Sequence, residues 1–334
     1  MKEFHDARPC AERNKILRQE MNKSFLSSYV YVLDFIKSNF SIDTTLSYMR
    51  LNNLIKHEAI SGYLFATYNN LVDAVEAEDT NRINKILDSL KDINENNKSL
   101  DVIQFSNKLP PKLLISLQHS MTRDFNKSFN GEYDIRAMTN SHYKRSLKAV
   151  RLAIKAIEEV DVLSKREINT LISNIILFDS NNVHAFSCFL SFGFIYLSNL
   201  KNHEHWTRYY EHIIHEAAHN HLFMLMTKDP LVIEGETKTL LYSPFRNEKR
   251  PVSGVYHAMF VLARTIRAFN LLLKSDKYAD VREDIIPVYN KQDSTRLSFL
   301  ERFEKTYEVL RDNAEMTTLG RKLLESCREI VHEK

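Results

Sequence analysis

Six glycines and seven prolines are all that interrupt this chain over 334 residues. Glycine supplies backbone with positive φ, and proline stops a helix, so a sheet-rich chain of this length needs more of both at its turns. So few breakers predict long helices. The apolar spacing agrees. Leu17, Met21, Phe25, Tyr29, Leu33, Ile36 and Phe40 recur at helical intervals and predict a helix over 16–40. Residues 44–77 read as a second long helix or a pair broken near Gly62. Asp79-Thr80 reads as the cap of a third, running to Leu90.

Residues 98–111 read as a loop with a short extended piece, after which Pro110-Pro111 opens another helix near Leu113. The clearest turn signal in this half is Phe129-Asn130-Gly131-Glu132, which places a boundary between a helical region, 1–130, and a second region, 131–334. A helix over 141–160 carries Lys144, Arg145, Lys148, Arg151 and Lys155 on a broad face, read as solvated, with an acidic partner as the alternative. Short aromatic and β-branched runs follow at 174–180, 183–190 and 193–198, and read as strands. Beyond them come a helix over 203–226, a strand at 238–243, a helix over 254–273, and broken helix over 278–333. The expected class is mostly α with a small β-sheet (α+β). It has a helical N-terminal half and two later helices packed on the short sheet.

Lysine and arginine number 46 against 43 acids, a net charge of +3, which leaves no electrostatic footprint for nucleic acid. Cys10, Cys188 and Cys327 are odd in number and far apart, so no disulfide framework follows. The polar start at Met1–Asp6 lacks the apolar core of a signal peptide, and the run from Ala185 to Leu197 is too short to span a bilayer. A cytoplasmic protein without membrane association is expected. The oligomeric state is not indicated.

Chemistry enters at His215-Glu216-Ala217-Ala218-His219, an H-E-x-x-H pattern inside the 203–226 helix. Histidines four apart on a helix stand about 40° from each other, so both rings leave one face and can grip one divalent metal. Glu216 lies about 100° beyond His215, at the edge of that face, where it can orient a ligand without coordinating. Ile213, Ile214, Ala217, Ala218 and Leu222 would bury the helix, and buried histidines need partners. His203, His205, His212 and His221 lie nearby. The last two are read as turned away from the His215/His219 face.

A metal centre needs a third ligand. The extended peptidase form H-E-x-x-H-x-x-G-x-x-H is excluded, because Leu222 and Leu225 stand at its glycine and last histidine. Glu234 and Glu236 are weak candidates. His257 is the stronger one, near the start of a helix that Tyr256, Met259, Phe260 and Leu262 would bury.

Residues 213–222 (IIHEAAHNHL) and 242–264 (YSPFRNEKRPVSGVYHAMFVLAR) resemble the 2-oxoglutarate-dependent (α-ketoglutarate-dependent) HExxH peptide β-hydroxylases, iron enzymes of ribosomal-peptide natural-product biosynthesis. The pattern Ser-Pro-x-Arg, Arg-Pro, Gly and a His leading into a helix is supplied by Ser243-Pro244-Phe245-Arg246, Arg250-Pro251, Gly254 and His257. Residues 186–198 look like the family's two preceding strands, and the match covers roughly 171–267. The resemblance implies Fe(II) held by His215, His219 and His257, with 2-oxoglutarate and O2 as co-substrates. It implies hydroxylation of a Cβ in a precursor peptide, with Glu216 in a supporting catalytic role. This departs from the usual two-His-one-carboxylate set. The distal carboxylate of 2-oxoglutarate needs a cation, best the fork of an arginine. Arg246 and Arg250 are the expected donors, with Ser243 beside them and Arg264 a lesser option. On this reading 131–334 is the metal-binding catalytic region, and 1–130 a scaffold or peptide holder. A zinc metallopeptidase with Glu216 as general base, and a non-catalytic helical binding protein, remain the alternatives.

Overall fold

A computed structural model describes residues 4–55, 60–93, 100–105, 114–115, 117–118, 135–201, 204–233, 239–281 and 297–333. The boundary expected at Phe129–Glu132, and Glu234 and Glu236, lie outside them; of the helix expected near Leu113, residues 114–115 and 117–118 are described and are helical. The chain is mostly helical, with a small mixed four-stranded sheet and a two-stranded hairpin. No helix among the described residues is long and apolar enough to cross a membrane.

Helix α1 spans Ala11–Phe40, with all seven predicted apolar positions on it and six of them buried. The predicted second helix is a broken pair, α2 (Thr45–Ile55) and α3 (Gly62–Glu76). Gly62 does more than interrupt. A Cβ there would sit 2.7 Å from the ring of Phe194, so the glycine lets α3 lie directly on an aromatic side chain. Asp79 caps α4 (Thr80–Ser89) by accepting from Arg82 N at 2.9 Å. Strand β1 (Asp101–Gln104) is followed by α5 (Asn140–Val160) and α6 (Val162–Leu171). Strands β2 (Asn174–Phe178), β3 (Ala185–Ser187) and β4 (Phe194–Ser198) come next. Then follow α7 (Thr207–Met226), the hairpin β5 (Leu240–Ser243) and β6 (Glu248–Pro251), α8 (Val252–Lys274), α9 (Phe299–Asn313) and α10 (Thr318–Val331).

The described structure divides into two compact units, each drawn from separated stretches of chain. One comprises Asn14–Leu147 and Asn169–Leu200. It holds the sheet, ordered β1-β2-β4-β3, with β1, β2 and β4 parallel and β3 antiparallel to β4. Strands β2 and β4 are buried at every position, as expected for parallel strands covered on both faces. Phe178, Phe194 and Tyr196 pack there with Ala66 of α3. The buried Arg18 guanidinium donates to the carbonyls of Leu171 and Ile60 and lies 4.6 Å from the centroid of the Phe192 ring.

The other unit comprises Met1–Arg13, Lys148–Ile168 and Lys201–Lys334. Here α8 is the central element, packed against α7, α9, α10 and the hairpin. Tyr210 of α7 donates to the carbonyl of Ala268 at 2.8 Å, and Tyr256 of α8 to that of Gly320 at 2.7 Å. Arg264 of α8 meets Glu167 of α6 through two contacts, at 3.0 and 3.4 Å, with each side chain 4% exposed. Glu167 also accepts from the backbone N–H of Cys10. The pair must be doubly bonded to offset the cost of taking both charges out of water.

Candidate metal centre

Helix α7 is buried at every position except one stripe. His215 and His219 occupy its middle. Arg208, Glu211 and His212 lie toward the N-terminus, and Phe223 and Met226 toward the C-terminus. At 100° per residue these seven positions fall within an arc of about 120°. The H-E-x-x-H histidines therefore stand on the solvent-reachable side of an otherwise buried helix.

His257, on the first turns of α8, is brought to the same place. Its Nδ1 lies 3.1 Å from Nδ1 of His219, and the two rings are near-parallel with centroids 5.4 Å apart. The His215 ring stands 5.0 Å from that of His219. Phe223 stacks beside His219, and Met226 Sδ lies 3.1 Å from His257 Nε2. Burial pushes His257 down to about 4. Burial with the nearby charge of Arg246 pushes His215 to the same value. His219 is held well below its ordinary value by burial, by its two histidine neighbours and by Arg246. All three rings are thus held neutral, the form in which imidazole binds a metal.

The donor set fits a divalent metal in kind. His219 and His257 would offer it two imidazole nitrogens 3.1 Å from each other. The set is not a closed cage, for among the described residues no group of three His, Cys, Asp or Glu side chains is gathered around one point.

Glu216 is buried at the edge of the stripe, and its charge reaches Arg246. The hairpin turn carries Arg246, whose backbone N–H donates to the Ser243 carbonyl at 3.2 Å and to Ser243 Oγ at 3.3 Å. Ser243 is buried and holds this turn in shape. The Arg246 guanidinium lies 5.3 Å from the centroid of the Phe245 ring, and its pKa is lowered by burial and by Arg250. Arg250 itself is paired with Glu248 at 2.6 Å, and Arg264 is engaged by Glu167. Of the three arginines considered, Arg246 is the one coupled to the histidines.

The structure also brings in groups not anticipated from the sequence. Arg302 of α9 lies 5.7 Å from the centroid of the Phe245 ring. Glu211, one turn before His215, is pushed up to about 7 by burial, against the opposing charges of Arg208 and Arg302. Glu211, Phe223 and Met226 were findable as the i−4, i+8 and i+11 neighbours of His215, whereas nothing local marked Arg302. His221 does turn away from the face, fully buried and stacked on Phe260. His212 does not: three residues before His215 is only about 60° round a 3.6-residue helix, and its Nε2 accepts from Arg208 Nε at 3.3 Å. His203 lies outside the described residues. No protein-family model matches the chain, and no curated protein matches it.

Proposed function

We propose that this chain is an Fe(II)- and 2-oxoglutarate-dependent oxygenase that hydroxylates a Cβ in a ribosomally made peptide. The observation that carries the reading is the meeting of His219 and His257 from two packed helices, both neutral, with Arg246 acting on His215 and His219. His215, His219 and His257 would hold the metal. When bound, iron with 2-oxoglutarate and O2 supplies the oxidising power to convert a C–H to C–OH, with succinate and CO2 as co-products. Arg246 presents its fork to the distal carboxylate of 2-oxoglutarate, with Arg302 a second cation over the same Phe245 ring. Arg250 is the less suitable donor, since Glu248 already engages it. Glu216, buried and coupled to Arg246, orients that arginine and the ligand shell. Residues 131–334 furnish every group named here. The region 1–130 serves as scaffold or as a holder for the peptide.

The test is direct. Purified protein is given Fe(II), ascorbate, 2-oxoglutarate and candidate peptides, and products are followed by mass spectrometry. A gain of one oxygen matched by succinate is the expected result. Peptide cleavage supported by zinc without 2-oxoglutarate would overturn the reading in favour of a peptidase with Glu216 as general base. Absence of bound metal, with no thermal shift on adding a divalent ion, would favour a non-catalytic binding protein.

A further inference from the structure

Both ring nitrogens of His257 meet side chains of the same helix. Its Nδ1 lies 3.1 Å from Nδ1 of His219, and its Nε2 lies 3.1 Å from Sδ of Met226. The Phe223 ring stands 5.6 Å from the His257 ring, centroid to centroid. His219, Phe223 and Met226 are at i, i+4 and i+7 on α7, within about 60° of arc. One face of α7 therefore holds the ring that α8 delivers. Met226 closes α7, and its long unbranched side chain leans back toward the preceding turn.

The two contacts differ in what they demand. A neutral imidazole has one N–H and one lone pair. A thioether sulfur has lone pairs and no proton, so it only accepts. Nε2 of His257 therefore carries the hydrogen and donates it to Met226. Nδ1 is left with the lone pair, turned toward His219. That lone pair needs a hydrogen opposite it, so in the metal-free chain Nδ1 of His219 donates.

We infer that Met226 is a positioning residue: its sulfur holds His257 in the Nε2–H tautomer and so leaves the Nδ1 lone pair facing the metal centre. A metal-binding histidine is ordinarily oriented by a carboxylate, a backbone carbonyl or water that accepts from its other nitrogen. Here a thioether takes that place. Leucine would fill similar space but accept nothing. The hydrogen bond between His219 and His257 would then run in either direction, and the lone pair would be divided between two rings. The tautomer stands on the metal-free chain alone; only its use in holding iron rests on the oxygenase reading.

Two-bond proton–nitrogen correlation spectra of the full chain test this, with labelled histidine, without metal and at neutral pH. The His257 signals are identified by their loss in His257→Ala. The parent should show Nε2 of His257 protonated and Nδ1 bare. Met226→Leu should move both signals toward their mean as the tautomers mix. Met226→Gln, whose amide oxygen accepts, should return them. Co(II) affinity, read by absorbance titration, should follow the same order. It should fall about 10-fold in Met226→Leu, the lower cost of losing such a partner, and be largely restored in Met226→Gln. Both variants should melt close to the parent, since Met226 is half-exposed. A proton on Nδ1 of His257, or nitrogen signals unmoved by Met226→Leu, overturns the proposal. So does Co(II) affinity lost in both variants with the tautomer intact, which would make the sulfur a direct ligand. A fixed tautomer in a chain that binds no divalent metal would sink the oxygenase reading and leave the Met226 contact; Co(II) bound equally well by the parent and Met226→Leu would do the reverse.

Discussion

At the scale of single residues, the site rests on imidazoles kept neutral and on one carboxyl kept near its midpoint. His257→Ala removes the ring that meets His219. It should lower divalent-metal affinity by more than about 100-fold, since losing an outer-shell partner alone costs about 10- to 100-fold. Co(II) titration by absorbance, with circular dichroism as the check on folding, measures this. Glu211 carries a different signature. Its native carboxyl titrates near 7, whereas an unperturbed one does so near 4.5. The native state therefore holds a proton that the unfolded chain has released. This supports the fold fully below 4.5, and the support is lost as pH rises through 7. Glu211→Gln keeps the group neutral, so it should raise the urea midpoint at pH 8 and leave it nearly unchanged at pH 4.

At the scale of elements, α8 is fixed from behind by Glu167 of α6 through Arg264, two turns beyond His257. Glu167→Ala leaves a buried guanidinium uncompensated and should cost about 3–5 kcal/mol in urea denaturation. Replacing both partners by Met should recover most of that loss. This pair also marks where the sequence stops being informative. Helices α1, α3, α4, α7 and α8 were legible because apolar spacing and caps such as Asp79 are local properties. So were β2 and β4, as short β-branched and aromatic runs, and the H-E-x-x-H face. What was not legible depends on partners far apart: Glu167 and Arg264 are separated by 97 residues. The parallel pairing of β1 with β2 joins Asp101 to Asn174. Arg302 reaches the site only because α9 returns to α8. The grip was written in the motif, but its place on the one partly exposed side of α7 was not, because that depends on what covers the rest of the helix.

At the scale of the whole molecule, three half-buried neutral histidines make stability fall with acid when no metal is present. His215 and His257 titrate near 4 in the native state against 6.5 when unperturbed. The stability they contribute is complete above 6.5 and is lost as pH falls toward 4. The melting temperature of metal-free protein should drop across that interval. At neutral pH a divalent ion at 100 times its Kd should add about 2.7 kcal/mol. The interleaving of the two units has a consequence of another kind, in the order of synthesis. The unit built from 14–147 and 169–200 is complete once residue 200 has emerged. The other cannot close until α10 arrives, because Ala7 N–H donates to Ser326 Oγ and Arg8 pairs with Glu333. Its first thirteen residues and the stretch 148–168 must wait on the nascent chain without their partners. Closing such distant segments is slow, and it exposes apolar surface for as long as it lasts. The packing of α10 on α8, the second of the two helices that carry the histidines, is therefore among the last contacts to form.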